Sequence, residues 1–181
     1  MLPNPLHPAV VHFPIVLAFL LPAFIGGALW SIRRGRAVRR AWLVPTAIAA
    51  ALSASAWLSV QTGDAQSERV ERIVGDAPLD AHEDMAEVFF TASVAVALIT
   101  AAGLLGGLPG RTARVLTGVG SLVLVGLVAR VGHSGGQLVY RHGAATAYAD
   151  TAGNAKDRNV LPATTSARDA RRRGAVDNQD Q

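Results

Sequence analysis

Five histidines stand near the ends of apolar runs in this chain, and imidazole is well suited to ligating a metal or relaying a proton near neutral pH. His7 and His12 open the first run, His82 opens the third, and His133 and His142 close the fourth. Helices that alternate in direction would bring all five to one membrane face. The first histidine string reads His7-Pro8-Ala9-Val10-Val11-His12-Phe13-Pro14. Pro8 suits a first helical position, where no N–H is needed, and Pro14 predicts a loosened turn. His7 and His12 lie five apart, about 140° around a helix, and so do not share a face. His12, about one turn below the helix start, is the inward candidate and His7 the interfacial one. The plainer reading makes both ordinary interfacial histidines.

The closing string is Gly132-His133-Ser134-Gly135-Gly136-Gln137-Leu138-Val139-Tyr140-Arg141-His142-Gly143. Its glycines allow close backbone approach or a departure from helix. Continued helix would place Arg130, His133, Gln137 and Tyr140 on one face. The plain alternative is a Gly-rich helix exit with a snorkelling Arg130 and an interfacial Tyr140, His142 being solvated beyond it. In Asp80–Glu87, His82 and Met85 are three apart and both suit an inward face. Glu87 lies a full turn inside the apolar run, where a carboxylate is a functional candidate by default. Asp80, Glu83 and Asp84 equally complement the positive end of a helix dipole. Ala86 stands where a zinc-protease motif needs its second histidine, so that motif is absent. Gln61-Thr62-Gly63, closing the second run, reads either as a hydrogen-bonding floor for the site or as helix termination.

The elements that must position these groups are apolar. Of 181 residues, 50% are hydrophobic and 17% charged, and the mean hydropathy is +0.30. The runs are roughly 9–32, 41–60, 85–107 and 115–131, and a helix needs about 20 residues to cross ~30 Å of hydrocarbon. The expected fold is all-α, a four-helix transmembrane bundle over residues 1–148 with a disordered polar tail over 149–181. Met1–Pro8 has no positive charge, so the first run reads as a span and not as a secretory leader. The Gly103-x-x-x-Gly107 pair, Gly26, Gly27, Ser53, Ser55, Gly118 and Ser121 are candidate packing seams. No repeat of solenoid type is visible.

Arg33, Arg34, Arg36, Arg39 and Arg40, with Arg111 and Arg114, mark the loops expected to be cytoplasmic. Both termini and every histidine then fall outside; the tail with Arg171–Arg173 opposes that rule, and the rival topology with a cytoplasmic N-terminus would move every histidine inside together. A net charge of +4 suggests nucleic acid, but the arginines lie in loops and tail without interleaved aromatics, so no nucleic-acid partner is expected. The absence of cysteine excludes disulfides, thiolate zinc sites, cysteine-held iron–sulfur clusters and covalent c-type haem.

The opening His7–Pro14 string, the four-run profile and the closing Gly132–Gly143 string resemble the bacterial membrane proteins of the domain of unknown function 2231 family over residues 6–146. The resemblance implies the fold more than an activity. It points to His7, Pro8, His12 and Pro14, and to Gly132, His133, Gly135, Gly136, Tyr140, His142 and Gly143. Family members beside or fused to cytochrome c and Rieske-type modules imply a redox association.

These features lead to three expectations. One is a subunit or anchor of the bacterial cytoplasmic (inner) membrane, tied to a respiratory or redox system, whose partners are the lipid bilayer and a cytochrome or Rieske-type protein. The second is electron transfer by haem b or a metal ion. His12, His82 and His133 are then the ligands, His7, Met85 and His142 further candidates, Arg130 a propionate partner, and Gly135 and Gly136 the residues admitting the porphyrin. The third is proton movement through Glu87, weakened by the lack of polar residues in the inner half of the helices.

Overall fold

In the computed structural model, residues 6–148 are described, and the expected disorder of 149–181 lies outside them. The chain divides into two units, Met1–Ala144 and Ala145–Gln181. In the first, α1 (His7–Val10) leads into α2 (His12–Arg33), followed by α3 (Val38–Asp64), α4 (Ser67–Val74), α5 (Asp76–Ala102) and α6 (Gly107–Tyr140); a 3-10 turn, Ala144–Tyr148, begins at its last residue. No strand occurs among the described residues.

Four helices are long and apolar enough to cross a membrane: His7–Arg33, Val38–Asp64, Asp76–Ala102 and Gly107–Tyr140. Each outgrows its apolar run at the histidine end. Asp76 starts α5 nine residues before Met85, and α6 continues through Gly132, Gly135 and Gly136 to Tyr140, so these glycines do not end the helix. At 1.5 Å per residue the 34 residues of α6 reach about 51 Å, well beyond the hydrocarbon. Between α1 and α2 the helix loosens at Val11. Pro14 has no N–H to offer the Val10 carbonyl, and the next bond, Ile15 N–H to Val11 O, is stretched to 3.4 Å.

The long helices form a ring in which α2 packs on α3, α3 on α5, α5 on α6, and α6 returns to α2. Ala18, Leu21, Ile25, Trp42, Ala49, Leu52, Phe89, Val96, Leu124 and Val128 fill its centre. Phe19, Phe24, Trp57, Leu98, Val119 and Leu122 face outward, where only lipid suits such side chains.

The two hairpins are equivalent in packing. The buried Pro14, Ala18, Leu21, Ile25 and Ala28 of α2 correspond, at a constant offset of 75 (14 to 89), to the buried Phe89, Ser93, Val96, Thr100 and Gly103 along α5. Ala41, Trp42, Pro45, Ala49, Leu52 and Ala56 of α3 correspond at an offset of 72 (41 to 113) to Ala113, Arg114, Thr117, Ser121, Leu124 and Val128 of α6. A two-fold rotation about the bundle axis would exchange α2 with α5 and α3 with α6, leaving the ring order unchanged. This is a parallel repeat of a helical hairpin.

The arginine end is closed by side chains. Trp42, fully buried, donates its indole N–H to the Thr100 carbonyl at 2.8 Å and lies against Gly103. Arg114 is not a loop charge as its position suggests. It is buried within α6 and its guanidinium donates to the Gly103 and Leu105 carbonyls, satisfying backbone acceptors just past the end of α5. Of the expected glycine seams, Gly103 supplies a close approach, whereas nothing approaches Gly26, Gly27 or Gly118. Gly107 has φ +67 and serves the turn, while Gly120 makes room for Val96.

Candidate histidine site

At the opposite end the same hairpin geometry is repeated with chemically active groups. His7 starts the first hairpin, and its Nδ1–H donates to the Ser59 carbonyl at 2.9 Å, with the Thr62 hydroxyl at 3.3 Å. A carbonyl only accepts, so the proton sits on Nδ1 and Nε2 keeps its lone pair. His82, in the second turn of α5, meets the Ser134 hydroxyl at 2.8 Å through Nδ1. With the Ser134 hydroxyl donating to the Val131 carbonyl at 3.0 Å, His82 Nδ1 is the donor to Ser134, the same tautomer as His7.

The supporting residues follow the offsets of the bundle. His7 and His82 are 75 apart; Thr62 and Ser134, like Gly63 and Gly135, are 72 apart. Each ring rests on its glycine: a β-carbon at Gly63 would lie 3.2 Å from His7 Cε1, and one at Gly135 3.0 Å from His82 Cε1. Both imidazoles are partly buried, and His7 lies near enough to His82 for its charge to act on it. Among the described residues neither Nε2 makes a hydrogen bond. Neither atom is among the fully enclosed polar atoms, all of which are bonded among the described residues, so both remain accessible.

The surroundings are acidic. The charges of Asp64, Asp80, Glu71 and Glu87 all act on the partly buried Glu83, the residue after His82, and Asp64 also acts on His7. Over this end lies α4, absent from the sequence reading. Its Val70 and Val74 pack on Leu79, Leu138 and Ala144, while Glu68, Arg69, Glu71 and Arg72 are exposed. The i,i+4 spacing of Val70 and Val74 in a charged segment was the available signal.

The expected triad of His12, His82 and His133 is not brought together. His12 is exposed because the helix phase that turns His7 toward α3 turns residue 12 away. His133 is exposed for the same reason: Ser134 faces His82, and its neighbour lies about 100° around the helix. Gln137, four residues on, donates its amide to His133 Nε2 at 2.7 Å, a contact confined to α6. Met85, Arg130 and His142 are exposed, and nothing stands over Gly136. Glu87 is exposed too, at the position equivalent to His12 (75 apart). No group of three or more histidine, aspartate or glutamate residues is placed to hold a metal among the described residues. The imidazoles that reach across to a neighbouring helix are therefore His7 and His82, while His12 and His133 do not.

Four apolar spans closed into a ring, with polar groups gathered at one end, define a small integral membrane bundle. Residues 3–148 match the family described as predicted membrane protein (DUF2231), and the chain belongs to that family. No curated protein and no solved structure matches it.

Proposed function

We propose that the protein is a non-conducting membrane subunit or anchor that presents its histidine end to a partner. The observation that carries this reading is the bundle interior. Ser59, Ser93, Thr100, Thr117 and Ser121, the buried hydroxyl residues, each donate to a carbonyl of their own helix. A hydroxyl bonded back to its own backbone offers no continuous hydrogen-bonded path, so the centre acts as a packed seal. The histidines and the acidic groups around Glu83 stand at one end of that seal.

The location we propose is the bacterial inner membrane with both termini outside. The exposed Arg33, Arg34, Arg36, Arg39 and Arg40 at the opposite end support it through the positive-inside rule. Arg34 stacks over Trp30 with 5.0 Å to the ring centroid, an arrangement suited to an interfacial anchor. A cytochrome or Rieske-type protein is the partner we propose, as the family resemblance implies.

Two measurements test the reading. Proteoliposomes containing the protein should carry protons no faster than empty vesicles, and Glu87→Gln should leave that rate unchanged. Deleting the chain from its host should lower quinol-driven oxygen consumption by isolated membranes. Proton flux lost in Glu87→Gln would replace the subunit reading with a conducting one, and unchanged respiration would remove the redox partner.

A further inference from the structure

The most prominent unassigned chemistry is the repeated imidazole arrangement at the histidine end. In each hairpin a histidine in the first turns of the leading helix reaches the last turns of the second, where a hydroxyl-glycine dipeptide, Thr62-Gly63 or Ser134-Gly135, receives it. The hydroxyl or carbonyl takes the Nδ1 proton and the bare glycine admits the ring edge. What remains on each side is Nε2, accessible and with its lone pair free of hydrogen bonds among the described residues. A metal-ligating histidine is typically prepared in this way, its other nitrogen donating to an oxygen that fixes tautomer and ring orientation.

We propose that His7 and His82 form a two-imidazole coordination site for a bare late first-row transition ion of the copper, nickel or zinc class. Imidazole nitrogen is a natural ligand for those ions, and water completes their coordination. The charge nearby favours a bare ion over haem iron. Asp64 acts on His7, and Asp64, Glu71, Asp80 and Glu87 act on Glu83, the residue after His82; negative charge there attracts a cation and repels haem propionates. Arg130, the expected propionate partner, is exposed on α6, four residues before Ser134. The site does not depend on the subunit reading, since a non-conducting anchor and a redox component could equally hold such an ion.

The test uses the full chain carrying no histidine tag, stripped with chelator in detergent and titrated separately with Cu²⁺, Ni²⁺ and Zn²⁺ by calorimetry. One ion per chain is expected for at least one metal, with binding abolished in His7→Ala and in His82→Ala and retained in His12→Ala and His133→Ala. Ser134→Ala, which removes the oxygen that orients His82, should weaken affinity by about 10- to 100-fold. A second measurement needs no variant: the bound ion should protect His7 and His82 of the wild-type chain from diethylpyrocarbonate, leaving His12 and His133 reactive. Failure of all three ions to bind, binding that survives both substitutions, or protection at other histidines would overturn the proposal. A Soret band after haem supply that disappears in the same two variants, without ion binding, would replace the bare ion with haem.

Discussion

Single atoms decide the polar contacts that close both ends of this bundle. Gly103 has no side chain because the Trp42 indole occupies the place of a β-carbon, and the same indole is tied to the Thr100 carbonyl. Gly103→Ala should therefore force Trp42 off that bond. Overpacking of this kind typically costs about 1–3 kcal/mol, to be read as a lower midpoint of unfolding in mixed micelles. Gly26→Ala is the control, because nothing lies within 4 Å of its β-carbon position, and it should leave the midpoint nearly unchanged. Equal effects at the two glycines would show that the indole contact carries no weight. The Arg114 guanidinium is a second such closure: a single nitrogen, Nη1, donates to both the Gly103 and Leu105 carbonyls, and Arg114→Ala should lower the midpoint by leaving both without that donor.

Among the elements, α4 is the one held least by the bundle. It is eight residues long with none buried, and it rests on α5 through Val70 and Val74. An isolated helix of that length is marginal in water, so tertiary contact supplies its order. Val70→Asp with Val74→Asp should melt it while the four spans persist. Amide hydrogen exchange across Ser67–Val74 should then approach the unprotected rate, with protection in the cores of α3 and α6 unchanged. Protection retained across α4 would mean that something other than these valines holds it. The long helices behave differently, since each borders two neighbours and satisfies its backbone internally.

At the scale of the molecule, the governing feature is the equivalence of the two hairpins. Leu52 of α3 and Leu124 of α6 are both fully buried at matching positions, 72 residues apart. Leu52→Ala and Leu124→Ala should destabilise the bundle by similar amounts. Because lipid is as apolar as leucine, mainly the cavity and packing part of the usual cost applies, about 1–3 kcal/mol. A difference well beyond 1 kcal/mol between the two variants would show that packing equivalence is not energetic equivalence. Paired hairpins also explain why one end of the molecule holds its chemistry in duplicate: a feature at the start of one hairpin recurs at the start of the other.

The amino-acid order alone determined the class of protein and its polarity. Four apolar runs, five histidines at one end and an arginine-rich loop at the other are local properties, and a stretch of about 20 apolar residues needs no partner to be recognised. The rotational phase of each helix was not legible, because it is set by what packs on its neighbours. So His12 and His133 read as inward while His7 read as interfacial, and the folded bundle reverses that assignment. The duplication was equally hidden. Pro14 and Phe89, Ala18 and Ser93, and Ile25 and Thr100 occupy matching buried places with unlike side chains. What the halves share is the shape of a packing stripe, with a few identities such as His7 and His82 or Gly63 and Gly135. Only the tertiary structure brings those identities together, because residues dozens of positions apart become neighbours through helices folding back on one another.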